Sequence, residues 1–170
     1  MAKTKRQPDI ETIIEKAVNA GLKAGRREAE DIYKATEKRL YALPVLEKRI
    51  KDNQQWLAEL QIEGSPRRSK DIKRLSRPGM RLSPDEILEA LITDVEATIA
   101  KDEHEVETIR KALENIKDDT YYPAVEGRYF EQISDDEIAE KIHCDTTTVW
   151  RQRKRLVQII AVWLYGADAV

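Results

Sequence analysis

Several residue types that define common protein classes are scarce in this sequence. Among its 170 residues are one cysteine, Cys144, and two histidines, His104 and His143. These are too few for a zinc cluster, and the cysteine has no partner for an internal disulfide. The longest apolar run, residues 159–165, is far shorter than the roughly 20 residues that span a bilayer, and no apolar segment follows the basic N-terminus. We therefore expect a cytoplasmic protein that binds neither a metal nor a membrane.

Sequence motifs of catalysis are missing as well. The chain has no glycine-rich phosphate loop, no histidines and cysteines at metal-ligand spacing and no serine in a nucleophile elbow. Cys144 directly follows His143, but adjacent residues around a turn rarely bring their side chains together, so the cysteine is interpreted as a core residue. The sequence thus predicts a protein that is not an enzyme, with no catalytic residues and no cofactor.

Charged residues are abundant but unevenly distributed, although the net charge is only -2. Residues 83–120 hold twelve acidic and four basic side chains, whereas residues 64–82 hold seven basic side chains and the single acidic Asp71. Glycines and prolines bracket the basic segment, which predicts an exposed loop. This loop is either a solvated linker or an accessory arm that binds DNA phosphates. The residues that would form the arm are Arg67, Arg68, Lys70, Lys73 and Arg74.

Apolar residues recur at helical spacing over the first 60 residues. The pattern begins after Pro8 and Asp9 and predicts a first helix that ends at Gly21 or Gly25, with Pro44 kinking or restarting the helix that follows. From residue 46 onward the apolar positions alternate between spacings of four and three, which is typical of a coiled coil. The members of this seam are Leu46, Ile50, Asn53, Leu57 and Leu60.

A second coiled-coil helix is predicted for residues 83–118. Ser83 as N-cap, Pro84 in the first turn and Glu86 mark its start. Its seam comprises Leu88, Ile92, Val95, Ile99, Asp102, Val106, Ile109, Leu113 and Ile116. The one polar member, Asp102, either fixes the register or lies at a solvated edge. The two long helices either fold back on each other or pair with a second copy of the chain, and we expect a homo-oligomer formed through them.

Residues 134–155 carry the pattern of a helix-turn-helix. Ser134 with Glu137 predicts a capping box at the start of a short helix, and Asp145 predicts the N-cap of a second helix. His143 occupies the turn position where glycine is usual, and histidine tolerates a left-handed backbone better than bulkier residues do. The small Ala139 suits the crossing of the two helices. The predicted core consists of Ile138, Ile142, Val149, Leu156 and Ile160.

The second helix of this motif is predicted to read DNA. The predicted base contacts on its exposed front are Thr146, Thr147, Thr148, Trp150 and Arg151. The predicted backbone contacts, a turn later, are Arg153, Lys154 and Arg155. Arg151 is the strongest candidate for base recognition, because an arginine can bridge guanine O6 and N7 with two hydrogen bonds. An outward-pointing indole such as that of Trp150 usually has a partner.

Together these patterns predict an all-α protein in which a long coiled-coil helical arm precedes a C-terminal helix-turn-helix domain of three or four helices. The predicted segments are 1–63 for the N-terminal helices and first coiled-coil helix, 64–82 for the basic loop, 83–118 for the second coiled-coil helix and 119–170 for the DNA-binding domain. We expect the residues just before the helix-turn-helix in the core, namely Tyr121, Tyr122, Val125, Tyr129, Phe130 and Ile133. Any part of the apolar tail, residues 159–165, that does not pack inward is a candidate interface.

The run RYFEQISDDEIAEKIHCDTTTVWRQRKRLVQIIAVWLYG, residues 128–166, resembles DNA-binding region four of bacterial sigma factors. It is similar to the variant found in phage late-gene activators of the ArpU and RinA type, with an aromatic pair before the helix-turn-helix and an apolar tail that ends in LYG. The resemblance implies a phage or prophage protein in the cytoplasm of a bacterial host. Such a protein would bind double-stranded DNA at a promoter or operator and activate late genes together with host RNA polymerase.

Two other functions remain open from the sequence. A phage small terminase subunit also combines a helix-turn-helix with coiled coil, but it acts in DNA packaging as a ring, so a ring of eight or more chains would favour it. Alternatively, the long helices are a protein-interaction scaffold attached to a vestigial DNA-binding domain. Absence of DNA binding at low salt would favour the scaffold.

Overall fold

The computed structural model describes residues 10–64 and 83–169, with side chains of the first helix at residue 28 and from residue 30 onward, and without the side chain of residue 168. Five α-helices and no strand occur in these two ranges, which confirms the predicted all-α class. The helices are α1 (Ile10–Glu63), α2 (Pro84–Glu114), α3 (Tyr122–Glu126), α4 (Asp135–Lys141) and α5 (Thr146–Tyr165). A π-helical turn, Gly127–Glu131, continues α3, and a 3₁₀ turn, Gly166–Ala169, follows α5. The proposed arm residues Arg67, Arg68, Lys70, Lys73 and Arg74 lie outside the described residues.

Helix α1 is continuous through every position at which the sequence predicted a break. The predicted end at Gly21 or Gly25 is wrong, because a glycine costs a helix only about 1 kcal/mol relative to alanine and strong helix formers surround both positions. Pro44 removes one backbone hydrogen bond, yet the helix neither ends nor restarts there. Leu40 and Leu43, just before the proline, are buried, and their burial holds this stretch in the helix.

Helix α2 begins as the sequence predicted. The Ser83 hydroxyl accepts a hydrogen bond from the Glu86 backbone N–H, and the Glu86 carboxylate accepts one from the Ser83 N–H in return. This capping box satisfies two donors that the start of a helix leaves unpaired. Downstream, the predicted seam is confirmed from residue 95 onward, while nearer the start Leu91 is buried more deeply than Leu88. The buried stripe comprises Leu91, Val95, Ile99, Asp102, Val106, Ile109, Ala112, Leu113 and Ile116.

Helices α1 and α2 fold back on each other within one chain as an antiparallel pair, which we call the hairpin. Near its middle, Asp102 is only 2% exposed, and both of its carboxylate oxygens accept hydrogen bonds from the guanidinium of Arg49. Asp102 therefore does not lie at a solvated edge. A second pair, Arg39 with Glu105, is partly buried and lies nearer the base of the hairpin. Because a buried carboxylate without a partner is strongly destabilising, the contact between Arg49 and Asp102 favours one register of the two helices.

One core joins the base of the hairpin to the C-terminal helices. Tyr129 of the π turn and Leu156 and Ile160 of α5 are fully buried in the same cluster as Leu40 of α1 and Ile109 of α2. A second, smaller core lies toward the other end of the hairpin and consists of Leu60, Leu91, Val95 and Ile99. The base of the hairpin is thus part of the core of the C-terminal domain. No helix in the described ranges is both long and apolar enough to cross a membrane.

Candidate nucleic-acid interface

The first helix of the helix-turn-helix, α4, begins and ends as the sequence predicted. Ser134 accepts a hydrogen bond from the Glu137 backbone N–H, and the Glu137 carboxylate accepts one from the Ser134 N–H at 2.8 Å. After α4, His143 adopts a left-handed backbone with a φ of 54°. The Cys144 N–H then donates to the carbonyl oxygen of Ala139 at 3.0 Å. The turn therefore has the conformation that the motif requires, although a histidine occupies the usual glycine position.

Replacing His143 with glycine should stabilise the protein by about 1 kcal/mol. Glycine adopts a left-handed backbone without the steric cost that an L side chain bears. The midpoint of urea unfolding, at an unchanged m-value, measures the gain. The matched control is His143→Ala, which removes the imidazole but keeps Cβ and should gain nothing. An equal gain in both variants would mean that the imidazole, and not the backbone, carries the cost.

Helix α5 begins at an aspartate cap. The Asp145 carboxylate accepts hydrogen bonds from the hydroxyl and from the backbone N–H of Thr148, both at 2.8 Å. These bonds hold the pKa of Asp145 below its usual value. The Thr148 hydroxyl, predicted as a base contact, is thus committed to the cap rather than free to reach a base. Thr146 and Thr147 on the same turn are exposed.

A compact apolar core holds α3, α4 and α5 together, as the sequence predicted for the two helices of the motif. Its members are Ala124, Ile138, Ala139 and Val149, with Ile142 half-buried beside them. Gly127 of the π turn allows this close packing, because a Cβ at that position would lie 2.8 Å from Cγ1 of Ile138. The π turn can therefore approach α4 this closely only with glycine at position 127.

Arg153 is buried, so its predicted role as a DNA backbone contact is wrong. Its side chain is 8% exposed, and its guanidinium donates to the two carboxylate oxygens of Asp135 at 2.5 and 3.0 Å. These bonds hold the pKa of Asp135 below its usual value. The helical period places position 153 on the inward stripe with Val149 and Leu156, although the sequence around it reads as one basic cluster. The ion pair of Arg153 with Asp135 thus holds α5 against the start of α4.

One face of α5 remains exposed, and we call it the reading face. It comprises Thr146, Thr147, Trp150, Arg151 and Lys154. Trp150 is 53% exposed, as the apolar stripe on the opposite side of the helix predicted. Nζ of Lys154 lies 5.4 Å from the centroid of the indole, which is a cation–π arrangement. Because α5 contains no Asp or Glu, every charge on the reading face is positive.

Arg155, the third predicted backbone contact, lies at the flank of α5. Its guanidinium donates at 2.7 Å to Asp119 in the segment after α2 and at 2.7 Å to Gln152. The side chain is nevertheless exposed, so its contact with a DNA phosphate stays a prediction. The bond to Asp119 ties α5 to the end of the hairpin.

Two exposed basic residues near the helix-turn-helix were missed by the sequence reasoning. Arg128 of the π turn lies close enough to Asp135 that its charge, after the bonds from Arg153, helps to lower the pKa of that carboxyl group. Lys34 of α1 lines, together with Trp150 on the reading face, a hollow of about 350 Å³ between α1 and α5. The acidic Glu30 and Glu37 of α1 line the same hollow. No local pattern marks either basic residue, because only the tertiary fold brings them near α5.

Acidic residues give the surface of α4 a charge opposite to that of the reading face. Asp136 and Glu140 of α4 are exposed and line a shallow depression next to His143 and Thr146. Their negative charges repel phosphates, whereas the charges of the reading face attract them. The side of α5 that carries Arg151 is therefore electropositive, and the side of α4 is electronegative.

Comparison with protein-family models, with curated proteins and with solved structures finds no match for this chain. Within the described ranges, no three histidine, cysteine or carboxylate side chains are grouped so that they could hold a metal ion. The geometry of α4 and α5 and the charge of the reading face are thus the observations from which a function can be proposed.

Proposed function

We propose that this protein is a sequence-specific DNA-binding transcription regulator that reads the major groove with α5. The observation that carries the proposal is a capped helix-turn-helix, with His143 in the left-handed turn, whose reading face holds no carboxylate. The major groove of B-DNA, about 12 Å wide, admits one α-helix. The exposed first turns of α5 correspond to the part of a recognition helix that meets base edges.

Each residue of the reading face suits one part of a DNA duplex. Arg151 can donate two parallel hydrogen bonds to guanine O6 and N7, and the methyl groups of Thr146 and Thr147 can contact thymine methyl groups. Lys154, one turn further along, suits a phosphate, which would add affinity without adding sequence preference. The indole of Trp150, with Lys154 over its ring, offers an apolar surface to the wall of the groove.

Arg151→Ala should weaken binding to the preferred DNA site by about 5- to 150-fold, because one bidentate arginine–guanine contact discriminates by about 1–3 kcal/mol. The site is first selected from a random duplex library with the intact chain. Fluorescence anisotropy at one fixed salt concentration then measures binding to the selected site and to a scrambled duplex. The loss should be larger for the selected site than for the scrambled one.

The matched control is Arg110→Ala in α2. This arginine is also exposed and pairs with Glu47 across the hairpin, outside the helix-turn-helix. Its removal lowers the positive charge by the same amount but should leave the site preference unchanged. Equal losses for the two variants would exclude base reading by Arg151. No DNA binding by the intact chain at low salt would contradict the proposed function, and a ring of eight or more chains would favour DNA packaging.

We also propose that the bound site is a promoter or operator of phage or prophage late genes and that host RNA polymerase is the partner in the bacterial cytoplasm. The support for this step is the resemblance of residues 128–166 to region four of sigma factors, together with the helix-turn-helix that these residues form. A reporter gene placed behind the selected site tests it. Transcription should rise with the intact chain and not with Arg151→Ala. An unchanged reporter despite intact DNA binding would contradict the activator role.

A further inference from the structure

The C-terminal end of α5 presents apolar side chains that the core does not use. Trp163 is 62% exposed and Val162 is 39% exposed, whereas the residues just before them, Ile160 and Ala161, are buried. Residues 156–167 contain no charged residue. The apolar tail therefore packs inward only in part, and its remainder is a surface without charge.

A hollow of about 340 Å³ lies beside these side chains. Arg155, Ile159 and Val162 of α5 line it together with Tyr33 of α1 and Ala169 of the 3₁₀ turn. The guanidinium of Arg155 is paired with the carboxylate of Asp119 at 2.7 Å. The projecting indole of Trp163 and this hollow are thus neighbours at one end of the recognition helix. We call the two together the tail patch.

We propose that the tail patch is the contact between two copies of this chain, in which the Trp163 indole of each copy enters the hollow of the other. A two-fold contact brings the same surface of both copies together, so that surface must be complementary to itself. A projecting side chain next to a hollow meets this requirement. Residues 156–167 are uncharged, and the charge of Arg155 in the hollow is balanced by Asp119, so two copies can approach with little repulsion between like charges.

The sequence predicted that oligomers form through the long helices, but the hairpin is less suited to a contact between two chains. Its apolar seam is already buried between α1 and α2 of one chain. Helix α2 holds ten Asp and Glu residues against three Lys and Arg residues, so two hairpins that met along α2 would repel each other. The tail patch carries one charged side chain, Arg155, whose charge is offset by its ion pair with Asp119, and this difference favours the tail patch over the hairpin.

The position of the tail patch also predicts an arrangement on DNA, a step that rests on the proposed function. Arg151 and Trp163 are twelve positions apart, which is about 18 Å along the axis of α5. Two copies joined at their tail patches could hold their Arg151 side chains up to about 36 Å apart. Half-sites one helical turn apart in B-DNA are separated by about 34–36 Å. The selected DNA site should therefore be a two-fold repeat with this spacing.

Sedimentation equilibrium of the whole chain without DNA tests the contact. The intact protein should have twice the 19.7-kDa mass of one chain. Trp163→Glu should weaken dimerisation about thirtyfold or more, because a tryptophan at the centre of an interface commonly dominates its binding energy. Trp163→Ala, which introduces no charge, should act in the same direction with an unchanged circular dichroism spectrum. The matched control is Trp150→Glu, an exposed indole of the same helix outside the tail patch, which should leave the dimer intact.

The outcomes separate this inference from the proposed function. A monomer at every protein concentration, or a dimer that both Trp163 variants leave unchanged, would overturn the tail patch as the contact. A ring of many chains would overturn it too. A dimer lost in both Trp163 variants and kept in Trp150→Glu supports it, whether or not the chain binds DNA, since no DNA is present in the measurement.

Discussion

Tyr129→Ala should destabilise the protein by about 3–5 kcal/mol, the largest effect that we expect from a single substitution. Tyr129 has no exposed surface and lies in the core that joins the hairpin to α5. Its ring meets that of Tyr41 edge to face, with centroids 4.8 Å apart. Its hydroxyl donates a hydrogen bond to Glu37 at 2.7 Å. Alanine would leave a cavity among several helices and would remove the hydrogen bond as well.

Urea unfolding followed by circular dichroism measures this loss. The matched control is Tyr129→Phe, which keeps the ring and removes only the hydroxyl, at a cost of about 1–2 kcal/mol. Burial raises the pKa of Tyr129 and the bond to Glu37 raises it further, so the hydroxyl remains protonated and donates at all ordinary pH values. Equal losses in the two variants would show that ring packing matters little. Separate transitions for the hairpin and the helix-turn-helix would contradict a shared core.

Asp135→Asn should destabilise the protein by about 2–3 kcal/mol, because it leaves the Arg153 guanidinium buried without an opposite charge. The Asp135 side chain is 33% exposed, so the arginine is the partner that water cannot reach. Asparagine can still accept a hydrogen bond from the guanidinium but does not balance its charge. Helix α5 should then be held less firmly against α4, and under the proposed function the binding of DNA should weaken together with thermal stability.

The dependence of this effect on pH provides a second measurement. The folded-state pKa of Asp135 lies below its unfolded value of about 3.9. The stability that its charge contributes is therefore present above the unfolded pKa and is lost as the pH falls through the lower folded pKa. The difference in melting temperature between the intact chain and Asp135→Asn should shrink in acid. A difference that stays constant down to the acid limit of folding would contradict the role of the charge.

The matched control for this substitution is Glu131→Gln. Glu131 pairs with Lys141 in the same domain, but both side chains are well exposed. Loss of such a surface pair should cost less than about 1 kcal/mol. If Glu131→Gln destabilised the protein as much as Asp135→Asn, burial of Arg153 would not be the reason for the larger expected effect.

The starts of the helices could be predicted from the sequence because their signals are local. Ser83 with Glu86, and Ser134 with Glu137, act within four residues of each other, and Asp145 caps α5 at a similar distance. The buried stripe of α2 was also predictable, because a seven-residue repeat is visible without knowledge of the partner helix. The helix-turn-helix could therefore be located from the sequence alone.

Which residues belong to the reading face could not be predicted from the sequence, because contacts between residues far apart in the chain decide it. Arg153 is separated from Asp135 by 18 residues, and no local pattern pairs them. Lys34 comes more than a hundred residues before Trp150, yet the two line one hollow. The passage of α1 through Pro44 likewise depends on a core that α2 and α5 complete. The periodicity of apolar residues within one helix does not predict any of these contacts.

Under the proposed function, the shared core limits how DNA specificity can change in evolution. Because α1 and α2 cover Tyr129, Leu156 and Ile160, recombination that moved the helix-turn-helix alone into another gene would transfer it with an uncovered apolar surface. The two parts must then be inherited together. New operator preferences would arise by substitutions on the reading face, whose exposed positions contribute little to the core, rather than by exchange of whole modules.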